Sequence, residues 1–220
     1  MRKYTPQVMK LYTLFRSSAA YRVRIALNLK GILYESISKD LRSGTHRRPD
    51  YLALNPQGLI PTLIHSDVVI GQSFAIIEYL EEQFPSPPLL PKSAVDRAHV
   101  RAIALNIACD MHPLNNFRVL NFLRDELKHD AATVNRWYAH WIAEGFRGIE
   151  EQVQRSSKDG KHCFGDSVTM ADVYLVPQMF NARRFNCDVK PYPTLVQVCA
   201  HLEQLPAFAA ARPEVQPDAV

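Results

Sequence analysis

With 220 residues, 47% hydrophobic and 22% charged, the chain is long enough for one large or two small domains around a sizeable core. A formal net charge of +4, with no basic run longer than Arg47-Arg48, leaves no nucleic-acid footprint and suits a small acidic substrate better. No stretch of about 18 apolar residues could span a membrane, and residues 1–8 lack the apolar core and cleavage site of a leader, so a cytoplasmic protein that engages no membrane is expected.

Residues 10–15 alternate as a strand, break at Ser17-Ser18, and resume as a helix with Val23, Ala26 and Leu27 on one face, ending in Lys30-Gly31. Such a corner offers hydroxyls and unpaired N–H groups at the positive end of a helix dipole, where an anion is stabilised. The plainer reading is that Ser18 is a helix N-cap. Arg16, Arg22 and Arg24 flank the serines, and arginine is the side chain suited to planar carboxylates.

Residues 34–38 predict a second strand, 42–48 a polar loop, and Pro49 opens a short helix that closes at Asn55-Pro56. Residues 60–64 predict a third strand with Pro61 at its start, His65-Ser66-Asp67 a turn, and 68–70 a fourth strand; Ser73 then caps a helix running to Phe84. The order β-α-β-α-β-β-α fits a thioredoxin-like domain.

The run Phe84-Pro85-Ser86-Pro87-Pro88-Leu89-Leu90-Pro91 holds four of the fifteen prolines and reads as a linker. Beyond it helical spacing takes over. One long helix is expected over 95–128, bent at Pro113 beside His112, Asn115, Asn116 and Arg118, and another through Val134, Trp137, Trp141, Ile149 and Val153. Trp137, Tyr138 and Trp141 read as core. Thr169-Met170-Ala171-Asp172 has capping-box spacing, with Val168 and Val173 as a hydrophobic staple, and opens a helix to Arg184. Residues 193–205 give a last amphipathic helix before a proline-containing tail.

Cys109, Cys163, Cys187 and Cys199 are widely spaced, without a Cys-x-x-Cys pair or zinc-type histidine spacing. Free thiols and no metal are expected, and thioredoxin-type redox chemistry is disfavoured.

These motifs, together with Ile60-Pro61, Gln72-Ser73, His112-Pro113-Leu114-Asn115-Asn116, Met170-Ala171-Asp172-Val173 and Val176-Pro177-Gln178, resemble the zeta class of glutathione transferases along nearly the whole chain. That class, the maleylacetoacetate and maleylpyruvate isomerases, has the signature Ser-Ser-Cys-x-x-Arg-Val-Arg-Ile-Ala-Leu; here Ala19 stands at the usual cysteine. The resemblance implies an N-terminal extension (1–8), a thioredoxin-like glutathione-binding domain (9–84), a linker (85–92), an all-helical substrate-binding domain (93–212) and a tail (213–220). It implies a homodimer.

By the same resemblance glutathione is held at Ser17, Ser18, Ala19, Ala20, Tyr21 and Arg22, with a cis Ile60-Pro61 presenting backbone to the cysteinyl part. Gln72-Ser73 would grip the γ-glutamyl end, and His46 lies in the loop used for the glycine end. His112, Asn116, Phe117 and Arg118 would come from the second domain, facing the serine corner. Arg184 rather than Arg183 matches the family's arginine; Arg16, His112, Arg118 and Arg184 would bind the substrate, and Asp172 serves the fold.

The implied activity is glutathione-dependent cis–trans isomerisation of maleyl dicarboxylates in aromatic catabolism. A thiolate stabilised by Ser17, with Ser18 and Arg16 alongside, adds to the double bond, the single bond rotates, and elimination follows. Two carboxylates call for at least two cations. Alternatives are conjugation or dehalogenation of small α-halo acids, and a non-catalytic module of the same fold; the choice between maleylacetoacetate and maleylpyruvate stays open.

Overall fold

In the computed structural model residues 8–41 and 43–219 are described, so of the expected N-terminal extension only Val8 falls within them, and Arg42 of the polar loop and Val220 of the tail lie outside. Contacts divide the chain into two compact units, one of Met1–Pro87 with Pro206–Val220, the other Pro88–Leu205.

The first unit holds a four-stranded sheet. β1 (Met9–Thr13) pairs parallel with β2 (Tyr34–Ser38) on one side and antiparallel with β3 (Thr62–His65) on the other; β3 pairs with β4 (Val68–Gly71), giving the order β2-β1-β3-β4. α1 (Ser18–Leu29), the short α2 (Pro49–Leu54) and α3 (Ser73–Gln83) complete the expected β-α-β-α-β-β-α order, with a 3₁₀ turn at Thr45–Arg47. The core lies between sheet and helices, where Leu11, Leu63, Val23, Ile25, Leu27, Ile76, Ile77 and Leu80 are buried. β3 begins at Thr62 rather than Ile60, because Pro61 has no N–H to give a ladder.

Lys30, which closes α1, is not solvated. Its ammonium is buried, pairs with Glu81 at 2.8 Å and donates to the carbonyls of Phe84 (2.6 Å) and Pro87 (3.0 Å). Three protons find three acceptors, and two of them, the Phe84 and Pro87 carbonyls, are in the proline-rich run.

The second unit is helical: α4 (Ala94–Leu105), α5 (Phe117–Asn121), α6 (Ala131–Ser156), α7 (Met170–Arg184) and α8 (Pro193–Leu202). The single bent helix expected over 95–128 is several pieces. After α4 the backbone widens into a π-helical segment, Asn106–Met111, and Pro113 lies in the turn that follows. Proline could not continue the ladder, and the Asn116 side chain accepts the Arg118 N–H to start a fresh helix. The π segment packs on α6 at Gly145, where an added Cβ would lie 2.3 Å from Met111 Cγ and Sδ. Tyr138 is buried as expected, while Trp137 and Trp141 are half-buried and Trp137 Nε1 donates to the Leu114 carbonyl.

The capping box at α7 is formed: Asp172 accepts from Thr169 N (2.7 Å), Thr169 Oγ1 (3.0 Å) and Cys163 N (2.7 Å). The expected boundaries are shifted at both ends of this unit. Residues 85–87 belong to the first unit, the last long helix stops at Leu202, and from Pro206 onward the chain returns to the first unit, where α9 (Pro206–Ala209) packs on α1. Asn28 Nδ2 donates to the Ala207 carbonyl and Arg24 Nε to that of Ala211, and the Phe208 side chain is fully buried. Among the described residues no helix is long and apolar enough to cross a membrane.

Lys30→Met should cost about 3–5 kcal/mol in urea unfolding, since it takes the cation from a buried carboxylate. The double variant Lys30→Met, Glu81→Leu should recover much of that loss.

Candidate functional site

The residues gathered by the first unit begin where β1 ends. Ser17, not Ser18, is the N-cap of α1: its Oγ accepts the Ala20 N–H at 3.2 Å, and its own N–H donates to the Leu14 carbonyl at 2.9 Å. With the oxygen's acceptor role used within the helix, the hydroxyl proton is available to an outside anion. No acidic side chain lies in the first turn of α1, so nothing of the helix's own opposes an anion there. Ser18 is buried, as are Ala19 and Ala20.

Tyr21 and Arg22, expected at the ligand, are buried, as is Arg24, which was noted beside the serines. Tyr21 and Ala20 are core, so only their backbone could meet a ligand. Arg22 Nη1 donates to Ser73 Oγ at 3.4 Å, which ties the starts of α1 and α3 together. Arg24 is fully buried and spends its guanidinium on Thr13, Leu14, Phe15 and Ala211. Arg16 is half-buried, with its guanidinium 4.7 Å from the Phe15 ring centroid.

The second wall is the entry to β3. The Ile60-Pro61 bond is cis, and the pairing of Thr62 with Gly71 sets it beside Gln72-Ser73. A polar cluster holds the preceding residue: the Leu59 carbonyl accepts from Tyr51 Oη (2.6 Å), Asn55 Nδ2 (2.8 Å) and Thr62 Oγ1 (3.4 Å). Burial pushes the Tyr51 phenol above its ordinary pKa, so it stays a donor. Tyr51 and Thr62 were not singled out by the sequence; the only sign was Asn55-Pro56 itself.

Gln72, rather than Ser73, is the N-cap of α3, its carbonyl accepting the Ile76 N–H at 3.0 Å. It has φ +67° and ψ 119°, and its side chain donates to Gln57 Oε1 at 2.9 Å. Ser73, the first helical residue, is buried. His46 sits in the 3₁₀ turn, where burial and then the neighbouring Arg47 lower its pKa and keep the ring neutral near pH 7. Its carbonyl would lie 3.0 Å from a Cβ at Gly58, so a glycine lets this loop close down on the α2–β3 connection.

The helical unit gathers its own set. His112 and Asn116 are linked through Nε2 and Nδ2 at 3.5 Å, while Phe117 and Arg118 are exposed at the start of α5. The turn carrying them is docked on α6, Asn115 Nδ2 donating to the Tyr138 carbonyl (3.1 Å) and Trp137 Nε1 to that of Leu114 (2.9 Å). The end of α7 meets the same stretch, since the Phe185 ring stacks on Tyr138 with centroids 3.9 Å apart. Arg184 lies over Phe185 (4.8 Å) and is exposed, whereas Arg183 is engaged by Glu203 at 2.7 Å. The turn bearing His112 and Arg118 and the helix end bearing Arg184 thus share one docking point, residues 137–138.

Residues 16–83 match the family described as Glutathione S-transferase, N-terminal domain. Over 211 residues the chain is 49% identical to a probable maleylacetoacetate isomerase of Vibrio cholerae, covering 95% of this chain and 97% of that one. A holo structure of maleyl pyruvate isomerase, a bacterial glutathione S-transferase of the zeta class, superposes with a TM-score of 0.94 at 46% identity, covering 96% of this chain and 100% of the other. The chain belongs to the zeta class of glutathione transferases. A further structure, a maleylacetoacetate isomerase of Methylobacterium extorquens AM1 with bound malonate and GSH, superposes with a TM-score of 0.92 at 39% identity, covering 96% of this chain and 99% of the other. Ala19, at the position of the class cysteine, is a buried side chain of α1.

A backbone such as that of Gln72 costs an L-residue about 1–3 kcal/mol, and glycine's extra unfolded-state freedom takes back about 0.5–1 kcal/mol. Gln72→Gly should therefore raise stability by about 1 kcal/mol in urea unfolding; a lowered midpoint would show that no strain is stored at this residue.

Proposed function

We propose that the protein is a glutathione-dependent cis–trans isomerase of maleyl dicarboxylates, acting on maleylacetoacetate or maleylpyruvate. The observation that carries this reading is the start of α1, with a serine hydroxyl on a helix N-terminus that has no acidic side chain in its first turn. The names of the relatives support it, and so does one neighbour's pairing of glutathione with malonate, a dicarboxylate.

The donor set fits the tripeptide. Ser17 Oγ–H and the leading N–H groups of α1 suit a thiolate, the backbone at Ile60 suits an amide, and Gln72 with the start of α3 suits a carboxylate. Neutral His46 can still donate one hydrogen bond to a second carboxylate. Bound as thiolate, glutathione supplies a nucleophile that adds to the cis double bond, lets the resulting single bond turn, and leaves again, so that no atom is gained or lost. The chain's part is to keep that sulfur deprotonated, to hold both substrate carboxylates, and to balance the negative charge that develops on the substrate carbonyl. We assign the carboxylates to Arg16, Arg118 and Arg184, with His112 and Asn116 assisting. The same proposal places the enzyme in the cytoplasm as a homodimer; edge strand β4 with exposed Val68 and Val69 is consistent with an apolar contact.

Ultraviolet spectra of each maleyl compound with enzyme decide the reading: loss of the cis chromophore only when glutathione is present supports it. Turnover of α-halo acids but neither maleyl compound would replace it.

Ser17→Ala should raise the pKa of bound glutathione, followed by thiolate absorbance across pH, and shift the rising limb of kcat/KM alkaline by the same amount. An unshifted titration would move the role to the backbone donors.

Arg118→Met and Arg184→Ala should each lower kcat/KM by roughly ten- to a hundredfold, the value of one charge-assisted hydrogen bond of about 1.5–3 kcal/mol. Glutathione affinity should change little in calorimetry. Wild-type turnover in both variants would remove the carboxylate clamp.

A further inference from the structure

Residues 14–16, between the end of β1 and the N-cap, belong to no helix or strand, yet the position of Ser17 depends on them. Two groups from elsewhere in the first unit pin this stretch. From α1, Arg24 reaches back: Nη2 donates to the Phe15 carbonyl at 3.0 Å and Nη1 to the Leu14 carbonyl at 3.4 Å, the same carbonyl that accepts the Ser17 N–H. From the C-terminal segment, Asp218 Oδ2 accepts the Phe15 N–H at 3.1 Å and the Ser38 hydroxyl at 2.8 Å. Arg24 Nε also holds the Ala211 carbonyl at 3.1 Å, so one guanidinium grips both the loop and the segment that carries Asp218.

We propose that Asp218 is a positioning residue for the serine corner, and that residues 206–219 act as a strap which fixes the Ser17 hydroxyl through Phe15 and Arg24. This rests on the glutathione reading above. Phe15 is buried, so an N–H robbed of its acceptor must be met by shifting the loop. A shift at Phe15 passes to Leu14 and from there to the Ser17 N–H. Asp218 itself is only half-buried, which limits what its loss removes from the core. Burial lowers the Arg24 pKa to about 10, with Tyr34, Tyr21 and then Asp218 opposing the fall, so the guanidinium stays charged at working pH.

A carboxylate this close to the corner could also act by its charge alone, which would disfavour a thiolate; the two roles have opposite signs. Asp218→Ala should raise the pKa of bound glutathione by about half to one unit and lower kcat/KM at neutral pH by roughly tenfold, with melting temperature nearly unchanged. Asp218→Asn keeps an acceptor oxygen and should stay close to wild type. Ser38→Ala, which frees the carboxylate to turn, should shift the pKa in the same direction by less. In protein without glutathione, the Phe15 amide should exchange with solvent faster in the alanine variant and not in the asparagine one. A thiolate pKa unmoved in Asp218→Ala, or a fall in both Asp218 variants, overturns the positioning role. A wild-type protein without any thiolate signal would instead sink the glutathione reading and this role with it, a result that the ligand-free exchange measurement keeps distinct from a broken strap.

Discussion

A helix start that is to receive an anion must be left without one of its own, and that constraint shapes the first unit. The leading N–H groups of α1 carry partial positive charge because no carbonyl precedes them. An acidic residue in the first turn would quench that field from within, and the turn has none. The Ser17 side chain accepts from one of those groups, at Ala20, which leaves its hydroxyl proton available to a ligand. The helix is held in place instead by its other face, where Val23, Ile25, Ala26 and Leu27 are buried. The apolar face thus offsets the unmet polar end.

Backbone carbonyls are the second recurring device. Leu59, ahead of the cis-proline, is held by Tyr51, Asn55 and Thr62; Phe15, ahead of Ser17, is held by Arg24; in the helical unit, Leu114 and Tyr138 tie the His112 turn to α6. In each case a loop that must present a group is fixed by side chains gripping the residue beside it. Loops have few contacts of their own, so a ligand group would otherwise wander by more than catalysis tolerates.

The strand and helix order of the first unit was legible in the sequence because apolar period and turn residues agree there, as at Ser17-Ser18, Asn55-Pro56 and Ser66-Asp67. Both N-caps of the site were read one residue late, at Ser18 and Ser73: residue type does not tell one of two adjacent serines from the other, and a carbonyl that starts a helix at Gln72 leaves no trace in residue type. The break at 106–116 was hidden for a different reason: a π-helical segment keeps apolar spacing close enough to that of an α-helix that only Pro113 marked the place. Arg22 and Arg24 were notable in the sequence because arginine suits carboxylates; acceptors distant in sequence that meet them inside the fold include Ser73 and Ala211. The return of the chain at Pro206 could not be seen either, as Asn28 and Arg24 hold it by carbonyls, which every residue has, and Phe208 is one apolar residue among many.

The departure at Ala19 can be weighed in the same terms. Of the four cysteines none lies in the first unit. Burial pushes the Cys163 and Cys199 thiols well above their ordinary pKa and Cys187 to about 11, so these stay protonated at neutral pH. Cys109, on the π-helical segment, belongs to the other unit. The first unit therefore carries no sulfur nucleophile of its own beside the α1 start to which the proposed function assigns a sulfur anion. A site of that kind makes chemical sense only if the thiolate arrives with a ligand, and a buried alanine methyl at position 19 neither adds a competing thiol nor takes away a donor that the ligand's sulfur would use.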